Sequence, residues 1–564
     1  MRTPYPRTPH LPWSPGATSD DVRVLDLAGL RGREVVVTEK LDGENTTLYP
    51  DGLHARSVDS AHHPSRSWVK ALHGRVAARL PAGWRVCGEN VHARHSIAYT
   101  GLESWFYGFS VWDGDRCLDW DRTTRFLREL GVPAPPVLWR GVFDERALRA
   151  LRVDTERREG FVVRTAEGFG RAEFGRRVAK WVRHRHVRTD AHWMTAPVVP
   201  NGLGPASALW DARSGAPVDV AALVTSIGLG DEGDLRDRVD VEAAERVAAG
   251  LGRTGDARLA GVLAAALRRV PRGRVATLLA GPVGVALARR VADLVGLHRL
   301  PPEPFPDEHR RAGLLRLSTA VDLEVLHAVS AAVADGPGPR DLVVWSALHA
   351  EDVGPWAPLR AGLRELLGPG PAADRCWAEA RAASLRAGRV LDPAEAVAAT
   401  WRWRSGDFPA LVHLVGCAGS GKTTFAAGLP DVGARVSLDD LREEAGDRAG
   451  RRDGGRVLRA GLDRLDAALR DHRTVVWDAT SLSDHQRAAV HAVARRRDAL
   501  VTHAVLLVDE REAARRNGSR AHRVPPAALA AQARRFSPPY PWQAHRTWYV
   551  GAAGTVGDTD DGEP

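Results

Sequence analysis

Cysteine is scarce in this chain of 564 residues, and long apolar runs are absent. The four cysteines, Cys87, Cys117, Cys376 and Cys417, form no CxxC pair, which argues against a disulfide framework and against a zinc site. Unpaired, scattered cysteines fit a reducing, cytoplasmic location. No uncharged apolar stretch reaches the length of about 18 residues that a membrane span needs, and residues 1–16 lack the apolar core of a secretory signal. We therefore expect no membrane association.

Lysine is almost missing as well. Of the 79 lysines and arginines only four are lysines, at positions 40, 70, 180 and 422. Arginine stays protonated and cannot act as an amine nucleophile, whereas the pKa of a lysine can be tuned by its surroundings. A lysine kept in such an arginine-rich chain therefore marks a candidate position where an amine is needed. Local sequence supports this interpretation for Lys40, Lys180 and Lys422, but not for Lys70.

Charge points to a polyanionic partner. The formal net charge is +9 and the isoelectric point is about 9.8. A basic excess suits nucleic acid, because neutralised phosphates release their counterions. Charge alone does not separate RNA from DNA.

The length exceeds what one hydrophobic core organises, and the texture changes along the chain. Residues 1–200 alternate short β-type runs with Gly- and Asp-containing turns, which predicts an α+β domain with antiparallel sheets. Residues 201–404 begin within a linker-like stretch, 197–217, and have helical spacing from about residue 218, so a mainly α-helical domain of unknown role is expected. Residues 405–550 begin an α/β unit. Residues 551–564 are acidic and predicted to be disordered.

The first motif lies at residues 39–45, which read Glu-Lys-Leu-Asp-Gly-Glu-Asn after an apolar run. A lysine at a strand end before a tight turn presents an amine, and a glycine there allows close backbone approach to a ligand. That motif alone is weak. Its companions follow in a fixed order along the chain, namely Arg56, Glu89, Phe109, Glu159 and, in a Val-Ala-Lys-Trp run, Lys180.

This ordered set resembles the covalent nucleotidyltransferases, and most of all the ATP-dependent RNA ligases of the phage RNA ligase 2 type. The resemblance implies that Lys40 attacks the α-phosphate of ATP, that Lys180 lowers the pKa of that amine and holds the phosphate, and that Glu159 helps to place Mg²⁺ or Mn²⁺. The nucleotide-binding positions it implies are Glu39, Asp42, Gly43, Asn45, Arg56, which would contact phosphate, Glu89, which would accept from the ribose, Phe109, which would stack on adenine, and Glu159.

Two positions depart from the family pattern. The phage-type ligases usually carry His where Asp42 stands, so an RNA-ligase surround is combined with a DNA-ligase-like tetrapeptide. Their last motif commonly has two lysines, whereas here Val178 occupies one possible partner position and Lys180 stands alone, assisted by Arg183. The residue that completes this motif, and the choice between RNA and DNA, stay open at this stage.

The second motif is Gly-Cys-Ala-Gly-Ser-Gly-Lys-Thr at residues 416–423, after an apolar strand and before a helical run. In such a P-loop the glycines let backbone N–H groups wrap phosphates, Lys422 reaches the β and γ oxygens, and Thr423 ligates Mg²⁺. The predicted nucleotide-binding positions are Gly416, Gly419, Gly421, Lys422, Thr423 and Thr424.

The segments that follow resemble the phage polynucleotide 5′-kinases and their P-loop relatives. The resemblance implies that Asp439 is the general base for a 5′-hydroxyl and that Arg442 grips the acceptor phosphate. Asp478, with Thr423, would serve the metal, and Arg516 and Arg520 would form a lid that neutralises charge in phosphoryl transfer.

Together the motifs predict an RNA repair enzyme that phosphorylates 5′-hydroxyl ends with ATP and joins 5′-phosphate to 3′-hydroxyl ends through a lysyl-AMP and an RNA-adenylate. A separate 3′-end phosphatase would then have to prepare the other end. Two alternatives remain, a DNA ligase–kinase, motivated by Asp42, and a nucleotide- or RNA-binding protein with degenerate sites. The intact Lys40, Glu159, Lys422 and Asp439 speak against the second. The natural RNA and the oligomeric state do not follow from the sequence.

Overall fold

The computed structural model describes residues 2–59, 62–184, 197–229, 233–303, 307–351, 353, 356–387, 390, 392–444, 454–520 and 522–559. The chain divides into two compact units. The first comprises Met1–Ser226 with Ala248–Leu259, and the second comprises Ile227–Val247 with Ala260–Pro564. None of the helices in the described residues is long and apolar enough to cross a membrane.

The first unit contains two antiparallel sheets, as the short β-type runs of its sequence predict. Their strands are β1 (Glu34–Lys40), β2 (Glu44–Tyr49), β3 (Gly52–His54), β4 (Trp84–Asn90), β5 (Phe106–Asp113), β6 (Arg116–Cys117), β7 (Val137–Val142), β8 (Gly160–Thr165), β9 (Phe169–Gly170) and β10 (Val178–Val182). One sheet has the order β10-β8-β1-β7 and the other has the order β3-β2-β4-β5-β6-β9.

Strand β1 lies inside the smaller sheet because its valines are buried on both faces. Val35 and Val37 pack with Phe161 on one face, and Val36 packs with Trp120 on the other. The register pairs Lys40, the last residue of β1, with Gly160, the first residue of β8. This pairing brings the predicted nucleophile next to the predicted metal ligand, Glu159, although 119 positions separate them.

Six short helices accompany these sheets in the first unit: α1 (Ser67–Val76), α2 (Trp120–Leu130), α3 (Glu145–Ala150), α4 (Phe174–Arg177), α5 (Ser207–Arg213) and α6 (Val220–Ser226). Part of the predicted linker is therefore structured. The buried amide of Asn201 donates to the carbonyl of Val91 at 2.8 Å, and Leu209 and Ala212 of α5 are buried. This segment was predicted to be a linker because of its prolines and glycines, but several of the apolar residues between them are buried in the core.

The middle of the chain is helical, which confirms the predicted class. Its helices are α7 (Gly233–Arg236), α8 (Val241–Gly250), α9 (Gly255–Ala266), α10 (Arg272–Leu279), α11 (Val285–Leu297), α12 (Asp307–Ser318), α13 (Leu323–Val333), α14 (Pro337–Ala350), α15 (Trp356–Leu367), α16 (Pro371–Ala387) and α17 (Pro393–Ala399). Most of them belong to the second compact unit.

The third sheet, in the second unit, carries the P-loop. Its strands are β11 (Ala410–Val415), β12 (Ala434–Ser437), β13 (Thr474–Asp478), β14 (Leu500–Leu506), β15 (Arg546–Val550) and β16 (Val556–Thr559), and its helices are α18 (Lys422–Ala427), α19 (Leu438–Glu444), α20 (Gly454–Asp471), α21 (Asp484–Arg496), α22 (Glu510–Gly518) and α23 (Pro526–Arg535). The order is β12-β13-β11-β14-β15-β16, and β16 alone runs antiparallel to its neighbour. Since α-helices cover a parallel sheet, β11 and β14 read as almost continuous apolar runs.

Strand β16 corrects the prediction of disorder for residues 551–564. Residues 556–559 pair with β15, and the buried carboxylate of Asp558 accepts from Arg289 of α11 at 3.0 Å. The acidic composition suggested a solvated tail, but a buried arginine in the helical region supplies the partner that makes one of these acids part of the fold. Residues 560–564 lie outside the described residues.

Candidate functional site

A cavity of about 650 Å³ opens in the first unit, and strands of both antiparallel sheets line it. The residues of the N-terminal motifs that meet at its wall are Glu39, Lys40, Gly43, Asn45, Arg56, Glu89, Phe109 and Lys180. These positions come from strands β1, β2, β4, β5 and β10 and from the loop after β3. Glu159 is not part of the wall but contacts Lys40, so the motifs of the ordered set come together at this cavity.

Lys40 lies at the end of β1 among carboxylates. Its Nζ atom is 2.5 Å from Oε2 of Glu159. Burial lowers the pKa of Lys40, but the negative charges of Glu159 and Glu89, together with Asp42, outweigh burial, so that the net pKa is raised. The resemblance implied that Lys180 lowers the pKa of Lys40, and the structure shows the opposite direction. The difference arises because the carboxylates surround the amine more closely than the second lysine does.

Two of the acidic groups around Lys40 also have raised pKa values. Burial, opposed by Lys40 and reinforced by Glu159, raises the pKa of Glu89 to about 7. Burial and the charge of Glu159 raise the pKa of Asp42 to about 6. The negative form of these carboxylates is disfavoured by burial and by their mutual repulsion. A cation bound among them would stabilise that negative form.

Lys180 lies on β10 at the opposite side of the cavity. Burial first, and then the positive charge of Lys40, lower its pKa. The backbone of Lys180 pairs with the N-terminal segment, since its N–H donates to the carbonyl of Pro9 at 2.9 Å and its carbonyl accepts from Leu11 at 2.8 Å. Arg183, the assistant expected from the sequence, is buried one residue beyond β10, and its N–H donates to the carbonyl of Glu159 at 3.0 Å.

The same N-terminal segment supplies cavity residues that sequence reasoning missed. Tyr5, Arg7 and Thr8 line the cavity, and the ring of Tyr5 meets Phe109 edge-on with centroids 5.1 Å apart. Arg164 of β8, which was not among the predicted site residues, lines the cavity too. A proline-rich stretch without periodicity carries no sequence signal for such a position. The position of this segment at the cavity follows from its backbone pairing with β10.

Asp42 and Gly43 shape the turn after Lys40. The Asp42 carboxylate accepts from the backbone N–H groups of Ser96 and Ile97 at 2.8 and 2.9 Å, and the structure does not bring it to the cavity wall. A Cβ on Gly43 would lie 2.4 Å from the carbonyl oxygen of Asn90. The turn therefore needs glycine, and Asp42 anchors it to a neighbouring loop.

The remaining predicted positions of this motif set lie around the rim. Glu39 pairs with Nε of Arg158 at 3.0 Å, and burial raises the pKa of Glu39 despite that partner. Asn45 stands opposite Glu89 in the β2–β4 ladder. Arg56 is exposed two residues beyond β3 rather than on a strand. An exposed arginine at the rim is available to a phosphate of a bound polyanion.

The P-loop lies between β11 and α18 as predicted. Gly419 and Gly421 have φ angles of +81° and +94°, and a Cβ on Gly419 would lie 2.3 Å from the carbonyl oxygen of Ala513. The Oγ atom of Ser420, within the loop, is buried with no hydrogen-bond partner among the described residues. Gly416 joins the loop to the next strand end by donating to the carbonyl of Thr480 at 3.0 Å.

Lys422 and Thr423 are the first two residues of α18, directly after the loop. Nζ of Lys422 donates to the carbonyls of Gly416 and Cys417 at 2.9 and 2.7 Å. Burial, which outweighs the attraction of Asp478, lowers the pKa of Lys422 to about 8. The hydroxyl of Thr423 donates to Asp478 Oδ2 at 3.1 Å, so that a hydroxyl and a carboxylate, both oxygen ligands, point at one spot. Thr424, also predicted, is exposed on α18.

The acceptor-side residues lie on α19. Asp439 is exposed and pairs with NH1 of Arg442 at 2.5 Å, one turn along the helix. Its neighbour Asp440 pairs instead with Arg435 at 2.8 Å. The exposed Asp439 is open to an incoming hydroxyl, and Arg442 is poised beside it.

The predicted lid residues lie on and after α22. Nε of Arg516 donates to Glu512 at 2.6 Å, and its NH1 atom lies 3.5 Å from where a Cβ on Gly421 would stand. Arg516 therefore reaches the P-loop. Arg520 is exposed, and its charge helps to lower the pKa of Lys422.

Two known families match the two sites. Residues 33–182 match the RNA ligase family model, and residues 411–539 match the AAA domain family model. The chain joins an RNA ligase domain to a P-loop domain. The ligase match spans all ten strands of the two antiparallel sheets, and the P-loop match begins at β11.

Solved structures resemble parts of the chain at low identity. A structure of the Pnkp1/Rnl/Hen1 RNA repair complex is 23% identical, with 23% of this chain and 44% of that chain covered and a TM-score of 0.21. A mutant Naegleria gruberi RNA ligase with ATP and Mn is 20% identical, covering 29% and 56%, with a TM-score of 0.22. A gluconokinase from Sinorhizobium meliloti 1021 is 20% identical, covering 26% and 84%, with a TM-score of 0.21.

Because their TM-scores are 0.21 to 0.22, these likenesses carry no argument about fold or substrate. The chain spans less than half of the length of the repair-complex chain. No curated protein matches the sequence.

Proposed function

We propose that the protein heals and seals RNA ends with ATP, as a ligase at its N-terminal domain and as a polynucleotide 5′-kinase at its P-loop domain. The observation that carries the proposal is the meeting of Lys40, Glu89 and Lys180 at one cavity, with Glu159 lying 2.5 Å from Lys40, inside a domain that matches the RNA ligases. The net charge of +9 supports a polyanionic substrate.

In the ligase domain Lys40 is the nucleophile. Its Nζ attacks the α-phosphorus of ATP, a phosphoramidate bond forms and pyrophosphate leaves, which yields lysyl-AMP. A 5′-phosphate oxygen of RNA then displaces Lys40 to give the RNA-adenylate, and a 3′-hydroxyl oxygen displaces AMP to form the phosphodiester. Lys180 stabilises the charge on the α-phosphate. Phe109 stacks on the adenine, and Glu89 accepts a hydrogen bond from a ribose hydroxyl.

A divalent cation fits the donors of both domains. Glu159, beside Lys40, offers carboxylate oxygens in a cluster whose acidic neighbours are destabilised by desolvation, and Thr423 with Asp478 offers a hydroxyl and a carboxylate. Mg²⁺ or Mn²⁺ prefers such oxygen ligands. At Glu159 its charge would replace that of Lys40 as the partner of the carboxylate and thereby favour the neutral, nucleophilic amine.

In the P-loop domain Asp439 accepts the proton of a 5′-hydroxyl and Lys422 stabilises the transferred phosphoryl group. Arg442 holds the acceptor phosphate, and Arg516 and Arg520 neutralise charge from the lid. Exposure of Asp439 supports this role, because a general base must reach the acceptor. The proposed bounds are 1–200 for the ligase, 201–404 for the helical domain and 405–550 for the kinase. A separate phosphatase would prepare 3′-phosphate ends.

Ligase function is tested by the AMP adduct. The full chain is incubated with ATP labelled at the α-phosphate and Mg²⁺ or Mn²⁺, and label on the protein is measured after denaturation. Wild type should carry the label and Lys40→Ala should not. Lys70→Ala is the matched control, because Lys70 is exposed on α1 away from the cavity and should leave labelling unchanged. Absence of label on the wild-type protein would favour the binding-only alternative.

Kinase function and the choice of nucleic acid are tested on ends. Transfer from ATP labelled at the γ-phosphate is compared on RNA and DNA oligonucleotides of one sequence with 5′-hydroxyl ends. A sugar acid is tested beside them as a small-molecule acceptor. Sealing of pre-phosphorylated nicked RNA and nicked DNA is compared at equal enzyme. Preference for RNA in both assays supports the proposal. Preference for DNA would establish the DNA ligase–kinase alternative, and transfer only to the sugar acid would remove the kinase half.

A further inference from the structure

Three histidines meet in the P-loop domain away from the phosphate-binding loop. His413 lies on β11 and His503 on β14, and the parallel register places them directly opposite each other. His491 lies on α21, which covers this face of the sheet. One ring nitrogen of each histidine lies within 4.8 Å of one ring nitrogen of each of the others. The ring centroids are 4.9 to 5.7 Å apart.

The three rings are buried in a way that keeps them neutral. His413 and His503 are fully buried, and His491 is partly buried. Burial, reinforced by the neighbouring rings and by Arg487, lowers the pKa of His413 and His503, and burial with Arg495 and Arg487 lowers the pKa of His491 to about 4. Neutral imidazole is the form that binds metals.

Hydrogen bonding within the cluster is incomplete. Nε2 of His491 lies 2.8 Å from Nε2 of His503, so these two atoms share one proton. Nε2 of His413 lies 2.8 Å from the hydroxyl of Ser481. The Nδ1 atoms of His413 and His503 are buried without a hydrogen-bond partner among the described residues. Buried imidazole nitrogens without partners are costly, and a metal ion on Nδ1 of His413 would supply the partner that this atom lacks.

We propose that His413, His491 and His503 bind one divalent transition-metal ion, with zinc as the best-suited ion. Three neutral imidazoles suit zinc, copper or nickel rather than magnesium or calcium. A hydroxyl that engages the second ring nitrogen, as Ser481 does at His413, is the usual support of a metal-binding histidine. The cysteine pattern could not indicate this site, because it contains no cysteine.

Binding of an ion requires the rings to shift, because their ligand nitrogens lie within 4.8 Å of one another but not at one common spacing. Zinc–nitrogen bonds of about 2.0–2.1 Å in a tetrahedron place ligand nitrogens about 3.3 Å apart. The His491–His503 gap of 2.8 Å must therefore open slightly, and the His413 ring must approach. The nearby cation Arg487 is already engaged by Asp484 and by the carbonyl of Ser481. The ion would be structural, because it would tie α21 to two central strands and, through Ser481, to the segment after Asp478.

The test uses the full chain, purified without a histidine tag and stripped of metal with a chelator. It is titrated with ZnCl₂ in the presence of a competing chelator, and separately with CoCl₂ while the visible absorption is recorded. We expect one equivalent to bind and the cobalt form to show the ligand-field bands of a four-coordinate site with nitrogen ligands. Zinc should also raise the midpoint of thermal unfolding.

His491→Ala removes the ligand on the helix, and His485→Ala, an exposed histidine of the same helix, is the matched control. The first variant should lose at least 100-fold in zinc affinity and the zinc-dependent shift of the midpoint, whereas the control should keep both. Circular dichroism without metal shows whether each variant is folded, and the wild-type cobalt spectrum is independent of any variant. Wild type that binds no stoichiometric zinc or cobalt, or a folded His491→Ala that binds as tightly as wild type, would overturn the proposal.

Discussion

The lysine of the ligase cavity and the lysine of the P-loop lie in opposite electrostatic surroundings. Lys40 has a carboxylate at 2.5 Å and a raised pKa, whereas Lys422 contacts backbone carbonyls and has a pKa lowered to about 8. The proposed nucleophile is thus held charged by its neighbours, whereas burial destabilises the charge of the proposed phosphate ligand. In the proposed reactions, a cation bound at Glu159 changes the surroundings of Lys40, and phosphate oxygens change those of Lys422.

The difference teaches that burial alone does not set the state of a lysine. Both amines are strongly desolvated, which lowers the pKa of each. The acidic side chains on β4 and at the start of β8 reverse that effect for Lys40. A charge-conserving substitution should therefore fail at Lys40, where chemistry needs an amine that can lose its proton.

Substituting either lysine should have the largest effect, because each substitution should abolish one activity and leave the other. Lys40→Ala and Lys40→Arg should both abolish the AMP adduct, because neither side chain supplies a nucleophilic amine, while transfer of the γ-phosphate persists. Lys422→Ala should abolish that transfer and leave the adduct intact. The two labelled-ATP assays on the same preparations measure this. An adduct on Lys40→Arg would contradict the account.

A smaller but still large effect is expected at the acceptor side of the P-loop. Asp439→Asn should slow 5′-phosphorylation by about 10²–10⁴-fold, the usual contribution of a general base, without weakening ATP binding. Asp440→Asn is the control, because that neighbouring exposed carboxylate pairs with Arg435 and not with Arg442. Equal losses in the two variants would show that Asp439 is only a structural partner of Arg442.

The carboxylates of the ligase cavity should make stability depend on pH. The pKa of Glu89 is about 7 in the fold against 4.5 in the unfolded chain, so the folded state binds more protons between these values. The free energy of unfolding then falls as pH rises through this window, by up to about 3 kcal/mol. Glu89→Gln removes the titration and should be more stable than wild type at pH 8, with the gap closing towards pH 5.

Thermal unfolding from pH 5 to pH 8 measures that gap. Glu156→Gln, which changes an exposed glutamate of the same domain, should follow the wild-type profile. Parallel profiles for Glu89→Gln and wild type would show that Glu89 is not held against its charge.

The smallest effect concerns the N-terminal segment. Tyr5→Ala removes an edge-on contact with Phe109 that is worth about 0.5–1.5 kcal/mol, so adduct formation should need about two- to tenfold more ATP. Tyr5→Phe keeps the ring and should behave nearly as wild type, and 5′-phosphorylation should not change in either variant. An unchanged ATP requirement in Tyr5→Ala would mean that this segment only covers the cavity.

Local sequence predicted much of this arrangement and missed what depends on distant pairing. The P-loop is a continuous segment whose glycines and lysine act through their own backbone, so its position between β11 and α18 followed from the motif. The ligase motifs were found by their order, yet the raised pKa of Lys40 depends on the register between β1 and β8. Tyr5, Asp558 and the three histidines had no local pattern, because their partners come from elements far away in sequence.

The central claim is that one chain carries both activities and uses them in order. The direct measurement is incubation of the full chain with Mg²⁺ and ATP on a nicked duplex whose RNA strand presents a 5′-hydroxyl and a 3′-hydroxyl at the nick. Wild type should seal it, Lys40→Ala should leave a phosphorylated but open nick, and Asp439→Ala should leave the 5′-hydroxyl unchanged. Wild type that seals a pre-phosphorylated nick but never phosphorylates the 5′-hydroxyl would contradict the account.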